Sequence, residues 1–269
     1  MLPGTTTTTA RRLSMVKLPV ESTSLAATDN ARPIARMLWQ ACEDLRDEAL
    51  KTAYIQGIRG GNLPPCLYGQ YVVQDVAYCV HVQKDYQLLA LRATRQNLPT
   101  IADFAVARYQ GYERYNRNIM APWHIVDAQA IEPNEAVLSY VAHEHFVASQ
   151  LHPIYGVVAM IPCERLWSWL AAQLKSSIGA NNVYSFWIEE NLPSKSAQRL
   201  ENFVDAWFAA NPKHYNHEDA MFAYRGSMLG EVNDFRAATG ESLFKPSTML
   251  TPSGDIRSAA GALQQEMAE

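Results

Sequence analysis

The chain is short of the features that mark several common classes of protein. It has four cysteines, Cys42, Cys66, Cys79 and Cys163, with no C-x-x-C pair among them. A cysteine zinc site and a disulfide framework both lack the spacing they need, so each cysteine is read as a reduced thiol. No block of basic residues and no alternation of aromatic with basic residues occurs, and the formal net charge is −4. That argues against a dedicated nucleic-acid binder. No apolar run is long enough to span a bilayer. The longest, Ile154 to Ile161, falls far short, which leaves no membrane partner. Period-two alternation of β-branched residues is missing, so no strands are expected. There are no internal repeats.

What is present describes a folded, soluble chain. Apolar residues make up 48% and charged residues 19% of 269 residues, enough for one large domain with an ample core. Residues 1–30 stand apart. They are rich in Thr and Ser, carry their first acidic residue at Glu21, and lack the apolar segment of a secretory signal. An organelle transit peptide shares some of that character. The reading adopted is a flexible tail on a cytoplasmic protein.

From Ala31 the pattern is helical. Predicted helices cover Pro33–Gly57, Cys66–Thr94, Thr100–Asn118 and Asn134–His152, with Asn134 as a cap. Pro153–Ile178 follows, broken near Pro162, and then Asn181–Glu190, Ser194–Ala210 and Asn211–Gly230. The expectation is an all-α bundle over residues 31–230, with residues 231–269 as a C-terminal extension.

One helix is unusual. Tyr71-Val-Val-Gln-Asp75-Val-Ala-Tyr78 places Tyr71, Asp75 and Tyr78 at i, i+4 and i+7 on one face, flanked by Gln74 and His81. Phenols and a carboxylate in a segment otherwise fit for burial turn toward a ligand or toward each other. Three further stretches could carry chemistry: Ser139-Tyr140-Val-Ala-His143-Glu144-His145, Pro162-Cys163-Glu164, and His217-Glu218-Asp219 through Phe222. His143 and His145 with Glu113 and Asp75 invite a metal reading. A helical iron site needs Glu-x-x-His, and Glu113 has Asn116 three residues on. His143 and His145 also point to different sides of their helix. His143 is therefore read as a buried, hydrogen-bonded imidazole and Glu144 as a solvent-facing charge. Taken alone, Cys163 reads as a small buried hydrophobe.

Taken in order, these motifs resemble the TenA family of aminopyrimidine aminohydrolases, also called thiaminase II. The set is Asn62-Leu-Pro-Pro, the Tyr71–Tyr78 helix, Ser139-Tyr140 with His143, Pro162-Cys163, Tyr184-Ser-Phe-Trp187-Ile, and Glu218 with Phe222, across residues 35–228. The resemblance implies a haem-oxygenase-like helical fold that binds no haem, no cofactor, and a homotetramer. It implies that Cys163 is the nucleophile that adds to a pyrimidine substrate, with Glu218 as the acid/base. Asp75 would hold the ring, Tyr78 would lie against it, and Tyr140 would donate at the wall, with Tyr71 beside them. Two positions depart from the family pattern. Trp167 stands four residues after the cysteine, and Asn191 follows the Trp-Ile motif, where tyrosines are usual. Both are expected to line the substrate pocket and to change its polarity and shape. Other proteins of this fold include cofactorless and di-iron oxidases. A non-catalytic pyrimidine-binding protein would also keep such a pocket.

Overall fold

Proline, glycine and hydroxyl-bearing residues divide the apolar periodicity into separate helices, as the computed structural model shows. It describes residues 33–192 and 195–245. The tail read over residues 1–30, the expected Ser194 cap and residues 246–269 lie outside the described residues.

Among the described residues there are eleven α-helices and no strand. They are α1 (Ile34–Ala41), α2 (Glu43–Lys51), α3 (Ala53–Gly60), α4 (Pro65–Arg95), α5 (Pro99–Met120), α6 (Glu135–Gln150), α7 (Pro153–Ala159), α8 (Ile161–Lys175), α9 (Ser185–Asn191), α10 (Lys195–Ala210) and α11 (His217–Ala238). The all-α expectation holds.

Two of the differences from the sequence reading bear on the site. The expected helix over Pro33–Gly57 is three short helices. Thr52 takes an extended ψ of 144°, and its side chain accepts from the Ile55 amide, starting a new helix. The last helix does not stop at Gly230. It runs to Ala238 and buries Glu231, Val232, Asn233 and Phe235. The boundary of the helical domain at residue 230 therefore falls inside a buried helix. The mixed, small-residue-rich chain beyond Gly230 reads as an extension, whereas Gly226 and Gly230 serve close packing within the helix.

That packing sets the position of the site. α11 runs against α6, α7 and α8 and touches α2, α3 and α4 as well. A Cβ built on Gly226 would lie 2.1 Å from the His143 ring, and one on Gly230 would lie 2.3 Å from the Tyr140 ring. Only hydrogen at those two positions lets α6 and α11 come this close. α4, 31 residues long and opened by Pro65 in its first turn, pairs along its length with α5 and crosses α6. α4, α6, α8 and α11 thus converge on one buried region. Asn134 caps α6 as expected, its side chain accepting from the Val137 amide at 3.0 Å.

Candidate active site

α4 delivers Tyr71, Asp75, Tyr78 and Cys79 to this region, α6 delivers Tyr140 and Glu144, α8 delivers Cys163 and Trp167, and α11 delivers Ser227 and Glu231. Tyr78 and Tyr140 are buried and stacked, with ring centroids 4.5 Å apart and planes 24° apart. Their hydroxyls are 3.1 Å apart. Tyr140 donates to Glu231 Oε1 at 2.9 Å, and the Trp167 indole N–H donates to Glu231 Oε2 at 2.8 Å. The Cys163 thiol faces the same group, near enough to Tyr78 and Glu231 for each to bear on the other's charge. Asp75 lies one helical turn before Cys79, whose sulfur is 3.9 Å from Asp75 Oδ1. Tyr71 packs on Trp167 and Phe235.

Burial governs the electrostatics. It pushes the Asp75 carboxyl up to about 7, and the neighbouring Glu231 adds to the shift. Burial also pushes Glu231 up to about 7, against the hydrogen bonds from Trp167 and Tyr140 and the nearby Cys163 thiol, which favour its charge. Near neutrality the two carboxyls are thus poised between charged and neutral forms. Cys163 is held well above the ordinary thiol range by burial first, then by Glu231, Asp75 and Glu144. It rests as a thiol, with Glu231 beside it.

A cavity of about 480 Å³ opens beside this cluster, lined by Gly69, Gln70, Tyr71, Asp75, Trp123 and Asp234 among others. Tyr71 and Asp75 belong both to its wall and to the buried cluster. One carboxylate oxygen of Asp234 is buried without a partner, and burial together with Glu231 and Asp75 pushes this acid well up.

Of the residues expected at the site, the structure brings together Cys163, Asp75, Tyr78, Tyr140, Tyr71 and Trp167. It does not bring Glu218. That residue is exposed in the first turn of α11, under the Asn216 cap, whose side chain accepts from its amide at 2.8 Å. Thirteen residues of helix, about 20 Å, separate it from Glu231, the α11 acid that does lie in the cluster. Asn191 does not join the cluster either. Its amide NH2 donates to the Trp187 carbonyl one turn back, at 2.8 Å, within its own helix.

His143 and His145 do not converge on one ligand. The His143 ring sits against Gly226 with Nε2 3.2 Å from the Ala223 carbonyl, a hydrogen-bonded imidazole that burial keeps neutral, down to about 4. His145 is on the outside and binds Asp85 Oδ1 at 2.7 Å. Glu113 pairs with Arg117 on the surface at 3.4 Å. Glu144, expected to face solvent, is instead wholly buried. Gln74 is spent on a loop, donating to the Glu132 carbonyl at 3.1 Å and accepting from the Asn134 amide at 2.8 Å.

The residues that the sequence reading missed are Glu231, Glu144 and Cys79. For Glu231 a signal existed: Gly226-x-x-x-Gly230 on an apolar helix marks a close crossing, and the acid follows it directly. Cys79, i+4 from Asp75, was legible from the same helical spacing.

Residues 39–219 match a family model described as the TENA/THI-4/PQQC family. The match ends before Glu231. Among solved structures, a TenA homologue from P. horikoshii OT3 superposes with a TM-score of 0.62 at 16% identity, covering 77% of this chain and 98% of that one. A TenA family transcription regulator from Silicibacter sp. TM1040 gives 0.61 at 13% identity, covering 76% and 96%. A protein from Sulfolobus solfataricus P2, named as a candidate TenA-like thiaminase, gives 0.57 at 18%, covering 78% and 98%. At these identities the likeness is one of fold. No curated protein matches the chain.

Proposed function

Because the chain belongs to the TENA/THI-4/PQQC family, we propose that it is a hydrolase that cleaves a C–N bond of an aminopyrimidine, thiamin or a thiamin degradation product, through Cys163. The observation that carries this reading is the burial of the Cys163 thiol beside Glu231 and Asp75, with Asp75 also in the wall of the adjoining cavity.

The two carboxyls divide the work. Asp75, as the neutral acid, donates to a ring nitrogen, and Glu231, as the carboxylate, faces the thiol. Glu231 takes the thiol proton as sulfur bonds to a ring carbon. The displaced electron pair moves to the ring nitrogen, which takes the Asp75 proton. The adduct then returns that proton to Asp75 while its electron pair expels the amine from the 5-methylene carbon. Glu231 gives the departing nitrogen its proton. Water adds to the exposed methylene, losing a proton to Glu231, and the ring nitrogen again takes the proton of Asp75. In the last step the C–S bond breaks, Asp75 recovers its proton, and sulfur takes one from Glu231. The products are the pyrimidine alcohol and the free amine, and every residue is restored.

Trp167 fits this scheme without a phenol. Its N–H holds one oxygen of Glu231 while Tyr140 holds the other, fixing the carboxylate toward the sulfur. The indole also packs on Tyr71, which lines the adjoining cavity. Assembly as a homotetramer belongs to the same proposal and is read by light scattering.

The test is incubation of the purified protein with thiamin and with 5-aminomethyl-pyrimidines, followed by mass spectrometry. The expected product is the 5-hydroxymethyl-pyrimidine, formed faster from the aminomethyl compounds. Tight binding with no alcohol formed would instead mark a non-catalytic pyrimidine-binding protein.

A further inference from the structure

Glu144 takes no part in that chemistry, and its surroundings call for an explanation. It is 0% exposed. Its Oε1 lies 3.2 Å from the Tyr78 hydroxyl and accepts from Ser227 Oγ at 3.2 Å. Its Oε2 is buried with no hydrogen-bond partner. A carboxylate in that position would leave half its charge bare in an apolar setting, which is costly. A neutral acid with its proton on Oε1 leaves only a carbonyl oxygen unpartnered. Burial accordingly holds this carboxyl well above the ordinary range, helped by Asp85 and Glu231.

From Glu144 an unbroken chain leads to Glu231. The steps are Glu144 to Tyr78 at 3.2 Å, Tyr78 to Tyr140 at 3.1 Å, and Tyr140 to Glu231 at 2.9 Å. Each is within hydrogen-bond reach, and each phenol can accept on one side and donate on the other. We propose that Glu144 is a buried proton store for Glu231, the two carboxyls sharing a proton through Tyr78 and Tyr140. Its use in turnover rests on the hydrolase reading, but its existence does not.

The transfer balances. With Glu144 neutral and Glu231 charged, the Glu144 proton points to Tyr78, that of Tyr78 to Tyr140, and that of Tyr140 to Glu231. Each proton moves across one hydrogen bond. Three O–H bonds break and three form, Glu144 becomes the carboxylate, Glu231 becomes the acid, and both phenols are restored. Burial holds both phenols well above the usual range, so the shift is concerted and no phenolate persists. Together the pair holds one proton or two. Glu231 can then serve as base to the thiol or acid to the leaving group without exchange with bulk water, which the closed packing of α4, α6 and α11 hinders.

The titratable groups facing Glu144 are Tyr78, Tyr86 and Asp85 from α4, Cys163 from α8 and Glu231 from α11, with Tyr140 on its own helix. None of these is a cation, and only the Ser227 and Tyr78 hydroxyls favour a charge on Glu144, against burial and the neighbouring acids.

The test uses Glu144→Gln, which keeps the volume and an acceptor for Ser227 but holds no exchangeable acid proton. Infrared titration of the substrate-free protein reads the protonated-carboxyl stretch. The wild type should show a buried protonated carboxyl at neutral pH that is absent in Glu144→Gln, and Glu231 should titrate at a different midpoint in that variant. Ser227→Ala removes one donor to Glu144 and should hold the Glu144 proton to higher pH, a check that stands even if the Gln variant folds poorly. In turnover, Glu144→Gln should lower kcat by about tenfold or more, with KM little changed and the pH profile of kcat displaced. If Glu144→Gln leaves both the carboxyl band and the Glu231 midpoint unchanged, the store does not exist. The infrared result stands whether or not aminopyrimidines are hydrolysed, so failure of the store and failure of the hydrolase reading are told apart.

Discussion

Glu231→Gln should make the protein less active and, at neutral and alkaline pH, more stable. Glu231 is 3% exposed, and its carboxyl is pushed from 4.5 to about 7. A folded-state value above the unfolded one means that the native protein holds this proton more tightly. Below about pH 4.5 both states are protonated and the group is neutral in its effect. Between about 4.5 and 7 the unfolded state ionises while the folded state does not, so stability falls as pH rises. Above about 7 the loss is complete. The shift corresponds to about 3 kcal/mol, and relaxation around the charge reduces what is measured to about 2–3 kcal/mol. Glutamine avoids this loss. Its oxygen can accept from Trp167 and its NH2 can donate to the Tyr140 oxygen, so no buried group is orphaned. Urea unfolding of both proteins from pH 4 to pH 8 isolates the effect, because the pH-independent part of the substitution cancels. The difference in unfolding free energy, variant minus wild type, should grow by about 2–3 kcal/mol across that range, most of it between pH 4.5 and 7. A flat difference would refute the claim that Glu231 is a desolvated acid poised near neutrality.

Three further outcomes follow from the packing and the hydrogen bonds. Glu218→Gln should leave kcat/KM within about twofold of wild type while Glu231→Gln loses at least about a hundredfold, both read in the same steady-state assay. Gly230→Ala should destabilise by about 2–4 kcal/mol, read by thermal unfolding, because its Cβ would meet the Tyr140 ring at 2.3 Å between two packed helices. Trp167→Phe should lower kcat by about tenfold with a smaller change in KM, because it removes the N–H that fixes Glu231 Oε2 but keeps an aromatic ring against Tyr71.

Much of this architecture can be read along the chain, because helical periodicity and its interruptions are local. Pro65, Asn134 and Pro153 mark helix starts, and the Tyr71, Asp75, Tyr78 face follows from 3.6-residue spacing alone. The site was legible in part for the same reason, since Tyr140 and Cys163 sit in motifs with distinct neighbours. What was lost depends on distance in space. Glu218 and Glu231 lie on the same helix, and only the crossing with α6 decides which of them meets the thiol. Gly226 and Gly230 make that crossing, yet the sequence reading ends the helix at Gly230. Glu144 likewise stands between two histidines that drew attention to themselves. Its burial is set by Ser227, 83 residues later in the chain. Asn191 shows the converse: its place after the Trp-Ile motif suggested a pocket role, and its amide is spent within its own helix.

If the Cys163 sulfur, activated by Glu231, performs the reaction, its removal should abolish turnover. The decisive measurement is the rate of pyrimidine alcohol release from a 5-aminomethyl-pyrimidine by wild type and by Cys163→Ala, with folding of the variant confirmed by its thermal melt. The wild type should release alcohol and the variant none above background. Equal rates from both proteins, or no alcohol from the wild type, would contradict it.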